Sequence, residues 1–300
     1  PMTYGLCHET IAKIAEAYPV CGSRSIGTTA YGREIEAMSI GSGGRTVLFT
    51  AAHHANEWIT ATVLLKFAEE LSRAILEKGS VYGIPANLFE ENCQIFLVPM
   101  VDPDGVDLVT GGIPLGSVQW EKAKNLAGNY PAIPFPNGWK ANLLGVDLNL
   151  QYPAGWLQAR EIKFSQGYTR PGPRDYVGKA PLTQRESRAL ADFTRYLDPA
   201  LILAYHTQGE QIYWKYDDID VPGALALGQE FARLSGYALA ETPYVSGFAG
   251  YKDWFIKTWR RPGFTIEAGL GENPLPLSQF DSIYAKNLGI LTTAALGLPE

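Results

Sequence analysis

Histidine is scarce in this chain. Only four occur in 300 residues, at positions 8, 53, 54 and 206, and two of the four are neighbours. Cysteine is scarcer still, at Cys7, Cys21 and Cys93, with no CxxC pair. Three scattered thiols exclude a disulfide framework, so buried or free thiols are expected; a Cys7–Cys21 bridge is the one pairing left open. No apolar run reaches the length of a membrane span, so no membrane partner is expected. There is no block of basic residues, and 25 Lys and Arg against 31 Asp and Glu give a net charge of -6. Nucleic acid and anionic lipid are therefore poor partners. No basic stretch followed by an apolar one opens the chain, so no signal peptide is visible. Pro1 cannot initiate translation. If Met2 is the natural start, a cytoplasmic location follows; a piece trimmed from a longer protein would equally suit the cell wall or secretion. Internal repeats, low-complexity tracts and linkers are also missing, which makes residues 1–300 one domain.

What is present fits an ordinary globular chain, 46% hydrophobic and 19% charged. Residues 9–19 place Ile11, Ile14, Ala15 and Tyr18 at helical spacing before Pro19. "REIEAMSIG" and "RTVLFTAA" read as a hairpin joined through "GSGG". "TATVLLKFAEELSRAILEKG" is an amphipathic helix closed by Gly79. "NCQIFLVPMVD", "ALILAYHTQ" and "GFTIEAG" are apolar runs of the kind found in buried central strands. "LTQRESRALADFTRYLD" begins with Thr183 and Glu186 spaced as a capping box. Helices follow at "ALALGQEFARLSG" and "QFDSIYAKNLGILTTAAL". Helices alternating with apolar strands predict an α/β fold, a mostly buried mixed β-sheet flanked by helices. Residues 103 to 181, rich in Gly, Pro, Asn and Trp, show little periodicity and read as long functional loops.

Metal-competent side chains cluster at the ends of three predicted strands. The stretch "TAAHHANEWIT" carries His53, His54 and Glu57, "AYHTQG" carries His206, and "FTIEAG" carries Glu267. Strand ends are where open α/β sheets hold ligands. His54 and Glu57, three residues apart, share one face of a helical turn. Two ligands from a turn and one histidine from a distant strand make a His₂Glu set, a catalytic zinc arrangement that leaves a fourth position for water. His53 with Glu57, at spacing four, is the competing pair. His54 is preferred because His53 lies nearer the strand and points to the other side.

"HANEWIT" resembles the zinc-binding HxxE segment of the metallocarboxypeptidase family. "VDPDGVDLV", "GVDLN", "AYHTQG" and "FTIEAG" resemble four further segments of that family, in the same order. More narrowly, "AHHANEWIT", "WKANLLGVDLN", "QYPAGW", "HTQGEQIYW" and "GYKDWF" resemble bacterial γ-D-glutamyl-L-diamino acid endopeptidases, over roughly Tyr4 to Glu272. The resemblance implies a zinc carboxypeptidase-like fold with one Zn²⁺ per chain on His54, Glu57 and His206. It implies Glu267 as general base and a peptidoglycan stem peptide as substrate. Lys140 stands where the family has an arginine that supports the oxyanion. Asn149 matches an asparagine that fixes the substrate's terminal carboxylate, but the arginine that follows it in the family is Leu150 here. That departure argues against plain C-terminal trimming, and leaves Arg170, Arg174 and Lys179 as candidate carboxylate partners, with Arg174 preferred. Tyr244 is the candidate for the family's mobile tyrosine, with Phe248 and Tyr251 competing. Glu210 is a candidate partner for an amino group of the diamino acid. Two other functions stay open: a general metallocarboxypeptidase, and a zinc-folded binding module without turnover.

Overall fold

In the computed structural model, which describes residues 1–298, the chain opens with helix α1 (Tyr4–Ala17). Strands β1 (Cys21–Thr28) and β2 (Glu34–Ile40) form an antiparallel hairpin. Strand β3 (Arg45–Thr50) leads through a 3₁₀ turn at Ala55–Glu57 into α2 (Ile59–Leu76). Two short strands, β4 (Ser80–Val81) and β5 (Ile84–Pro85), and helix α3 (Asn87–Asn92) return the chain to β6 (Cys93–Val98). Helices α4 (Pro103–Thr110), α5 (Val118–Ala127), α6 (Trp156–Ser165) and α7 (Arg185–Leu197) precede β7 (Leu201–His206) and β8 (Gln211–Tyr213). The last elements are α8 (Ala224–Ser235), β9 (Ala238–Ala240), α9 (Tyr251–Trp259), β10 (Gly263–Glu267) and α10 (Phe280–Leu296).

Eight strands form one mixed sheet in the order β1-β2-β6-β3-β7-β10-β8-β9. The middle four, β6, β3, β7 and β10, are mutually parallel, so their C-terminal ends share one edge of the sheet. All six residues of β7 are buried, as a central strand covered on both faces requires. Helices α1, α2, α8 and α10 cover one face. Helices α7 and α9, with the segment around Leu148–Ala154, cover the other. Among the described residues all three cysteines are buried and free, and no helix is long and apolar enough to cross a membrane.

Three local expectations change. Strands β2 and β3 are not a hairpin, because β6 lies between them, antiparallel to β2 and parallel to β3. The "GSGG" segment is instead pressed against the α3–β6 junction, where the Ser42 and Gly43 N–H groups donate to Glu90 and Cys93 carbonyls. A Cβ on Gly43 would lie 2.1 Å from the Asn92 carbonyl carbon, so Gly43 serves close approach of the two backbones. The capping box at Thr183 and Glu186 does not form. The Gln151 carbonyl Oε1 accepts the N–H groups of Thr183 and Gln184, at 2.9 and 3.1 Å, and Glu186 turns inward. Residues 103 to 181 hold three helices; α5 buries only Ala123 and Ala127, so it has no apolar stripe to reveal it.

Glu186 is 1% exposed and lies among Asp102 and Asp104 of the α4 start, Asn142 and Arg185. Burial, and then the Asp104 charge, push its carboxyl up to about 7 against the backbone N–H, Asn142 and Arg185. A carboxyl raised on folding keeps its proton in the native state while the unfolded chain has lost it. Stability therefore falls as pH rises from about 4.5 to 7, by on the order of 3 kcal/mol from this group. Urea titrations at pH 5 and pH 8 should show that difference in the wild type and a clearly smaller one in Glu186→Gln. An unchanged difference would remove Glu186 as its source.

Candidate metal centre and substrate cleft

The centre is assembled at the shared C-terminal edge. Past β3 the chain stays tied to its neighbour: Ala51 N–H donates to Val98 O, and Asp102 N–H to Ala52 O. Ala52 adopts φ 47°, and the turn that follows sends the two adjacent histidines apart. His53 goes beneath the sheet edge. It is fully buried, its Nε2 lies 3.3 Å from the Tyr152 hydroxyl, and its ring stacks on His206 at 5.6 Å. Burial, then the neighbouring His206 and His54, push its pKa well below the usual value, so it stays neutral. His54 precedes the 3₁₀ turn in an extended conformation and Glu57 ends that turn. His206 closes β7 and is in register with Glu267 at the end of β10.

His54 Nδ1 lies 3.0 Å from Glu57 Oε1, His206 Nδ1 lies 2.9 Å from Glu57 Oε2, and the two Nδ1 atoms face each other at 3.2 Å. Among the described residues these three are the group whose ligand atoms gather closely enough for a metal. Tetrahedral zinc with bonds of about 2.0–2.1 Å sets its donors about 3.3 Å apart, so the donors fit that ion in number, kind and spacing. His54 Nε2 is held by Asp147 Oδ1 at 3.1 Å, the outer carboxylate partner that fixes the ring of a metal-binding histidine. Burial opposes a charged His54, but Glu57 and Asp147 outweigh it and raise its pKa to about 9. The site's anionic field therefore favours a cation, and a metal arriving there displaces a proton.

Lys140 comes from a loop locked to the metal turn, since Ala55 N–H donates to Lys140 O at 3.1 Å. Its Nζ donates to Glu57 Oε1 at 2.8 Å. Burial works against the ammonium, but Glu57 outweighs it and the pKa is raised. Glu267 stands in the cleft wall; burial raises its carboxyl, and then Glu57 adds to that against His206 and Lys140. Two cavities meet here. A smaller one of about 220 Å³ includes His54, Asn149, Leu150 and His206; a larger groove of about 860 Å³ runs past Asn56, Asn137 and Asn273. Lys140, Arg174, Tyr213 and Glu267 line both.

The other expected site residues divide. Asn149 lines the smaller cavity while its Oδ1 accepts the Tyr251 N–H at 3.0 Å. Arg174 is brought to the junction, with Nε on Asp175 Oδ2 at 2.6 Å. Tyr244 is 70% exposed and packs edge-on against Phe248, outside the cleft, although Thr242, Pro243 and Ser246 of the same segment line it. Tyr251 is buried with its hydroxyl on Thr194, so it has no freedom to swing. Glu210 is not in the cleft. It adopts φ 51° and pairs with Lys286 of α10, because the turn after β7 directs it away from the metal. Five charged residues of the smaller cavity have no role in the sequence reading: Asp147, Lys163, Asp175, Lys252 and Asp253. Asp147 was within reach as the aspartate of "GVDLN"; the others lie on weakly patterned or distant segments.

A zinc site on a parallel sheet edge beneath a cleft defines a metallohydrolase of the carboxypeptidase kind. The family model for zinc carboxypeptidases matches residues 7–288, and the chain belongs to that family. It is 42% identical, over 96% of its length and 70% of the relative's, to "Gamma-D-glutamyl-L-diamino acid endopeptidase 1" of Lysinibacillus sphaericus. The fold matches bovine thrombin-activatable fibrinolysis inhibitor with a TM-score of 0.73 at 16% identity, covering 98% of this chain and 96% of that one. It also matches the murein-tripeptide amidase MpaA from Escherichia coli O157, with a TM-score of 0.57 at 16% identity and 93% of both chains.

The purified protein should carry about one zinc per chain. His206→Ala should lose the metal in elemental analysis yet keep its circular dichroism. His53→Ala should retain the metal; loss of zinc from that variant alone would reverse the assignment of the two neighbours.

Proposed function

We propose that this protein hydrolyses the γ-D-glutamyl–diamino acid bond of peptidoglycan stem peptides. The observation that carries the reading is a His₂Glu centre with Glu267 beside it, in a cleft where Leu150 occupies the place of a carboxylate-binding arginine. The 42% identity to an enzyme named for that bond supports the same reading. Zinc bound by His54, Glu57 and His206 would supply Lewis acidity, acidifying water and polarising the scissile carbonyl. Glu267, with its pKa raised by burial, accepts the proton of the attacking water and returns it to the leaving amine. Lys140, on the cavity wall, would donate to the carbonyl oxygen as it gains negative charge. As a point charge it does so without the two-pronged geometry of arginine. Asp147 holds the His54 ring in one orientation, from which its Nδ1 would serve the metal.

A γ-linked D-glutamyl residue places a free α-carboxylate near the scissile amide, and the diamino acid brings a second amino group. A cleft with Lys140, Arg174 and Asn149 on its walls offers partners that an α-linked peptide leaves unpaired, and unpaired buried polar groups discriminate strongly. Glu267→Gln should keep its zinc and lose turnover by at least about 10²-fold. Near-normal turnover in that variant would assign the proton to another group. L-Ala-γ-D-Glu-diamino acid peptides should be cleaved, and their α-L-Glu isomers and ordinary C-terminal residues should be released about 10⁴-fold more slowly. Equal cleavage of α-linked peptides would replace the reading with a general carboxypeptidase.

A further inference from the structure

Leu150 leaves open which group in the smaller cavity meets a carboxylate. Helix α6 buries only two of its ten residues, Ala159 and Lys163. They are four apart and share one face. Ala159 packs against Leu150, Val177 and Ala249, and Lys163, one turn on, lines the same cavity as Leu150 and Asn149. The Lys163 side chain is 9% exposed. Lysine is almost never buried to that degree without a charged partner, and its partner is Asp175 Oδ1 at 2.7 Å.

The pairing of charges singles this lysine out. Lys140 has Glu57 at 2.8 Å. Lys252 has Asp253 Oδ1 and the Lys215 carbonyl, both at 2.6 Å. Lys163 and Arg174, in contrast, divide one carboxylate, taking Oδ1 and Oδ2 of Asp175 respectively. Two cations therefore share that one carboxylate. Both Asp175 oxygens are engaged, Oδ2 by a hydrogen bond from Arg174 Nε and Oδ1 by ion pairing with Lys163, whose ammonium carries three donors. Lys163 lines the cavity, so an anion that enters it would have this ammonium within its walls.

On the proposed function, we infer that Lys163 is a specificity-determining residue that binds the α-carboxylate of the leaving residue, supplying from α6 the charge that Leu150 does not. The smaller cavity holds Lys163 and Asn149 but none of the asparagines of the larger groove. The single leaving residue suits the former, and the longer acyl portion suits the latter. In a tripeptide substrate the diamino acid is C-terminal and carries a free α-carboxylate on the carbon next to the scissile nitrogen, so that carboxylate enters the smaller cavity with it.

Four substrates test this on the zinc-loaded full chain. They are L-Ala-γ-D-Glu-meso-diaminopimelate with the carboxyl beside the scissile nitrogen free or amidated, and the α-L-Glu isomers of both. A charge-assisted hydrogen bond to a carboxylate corresponds to about 10–10²-fold in kcat/KM. The wild type should prefer the free over the amidated form by that factor. Lys163→Met should bring the ratio within about threefold of one, mainly by losing rate on the free form, while Lys163→Arg keeps a clear preference. Zinc content and circular dichroism should be unchanged in Lys163→Met, because Arg174 still pairs with Asp175. A wild-type ratio near one would overturn the inference without any variant. So would a full preference surviving in Lys163→Met, or a preference abolished by Lys252→Met instead. The γ-to-α ratio in the wild type judges the proposed function separately. If the α-linked pair turns over faster, that function falls, and the free-to-amide ratio on the α-linked pair still decides the role of Lys163.

Discussion

The site depends on one buried carboxylate. Glu57 is fully shielded from solvent, and both of its oxygens are contacted, Oε1 by His54 and Lys140 and Oε2 by His206. An isolated carboxylate so placed would be prohibitively costly and would hold its proton. Burial does push Glu57 upward, but Lys140, His54 and His206 outweigh it and hold its pKa well below the usual range. The neighbours thus exist in a fixed charge relation: remove one, and the others lose the partner that justifies their burial. A metal ion at the centre of the three donors completes that compensation, which is why metal, lysine and outer aspartate belong to one electrostatic unit.

Sheet topology delivers the unit. Strands β3, β7 and β10 are sequential neighbours in the sheet though they are distant in sequence, and all three run the same way. Their ends therefore bring His54 and Glu57, His206 and Glu267 to one edge with no further adjustment. The loop from Lys140 to Asp147 then clamps onto the metal turn through Ala55 and His54. His53, adjacent in sequence to a ligand, is turned under the edge as a neutral ring on which His206 stacks. The paired histidines thus divide the work, one toward the metal and one toward the core.

Residues whose role is written into a strong local pattern were legible. The continuous apolar runs of β6, β7 and β10 announced buried parallel strands, and the HxxE spacing after β3 announced a turn with two donors. Charge networks among side chains were not legible, because ion pairing between loops leaves no period. Lys163 and Asp175 are twelve residues apart, in a region without an apolar stripe, and only the folded loop shows that they meet. Strand β1 was missed for a related reason: "CGSRSIGT" is an exposed, glycine-bearing edge with a bulge between Ser25 and Gly27, so its alternation is broken. The β2–β3 hairpin failed because nearness in sequence suggested pairing, while β3, buried along most of its length, needed a partner on each side. Glu210 failed because a positive φ reversed its direction, which composition does not record.

The central claim is that one zinc sits on His54, Glu57 and His206 with Glu267 and Lys140 beside it. Anomalous diffraction at the zinc edge, from crystals of the purified protein, tests it most directly. The account predicts a single strong peak per chain, about 2.0–2.2 Å from His54 Nδ1, His206 Nδ1 and a Glu57 carboxylate oxygen. A peak coordinated by His53, or no ordered metal at full zinc loading, would contradict it.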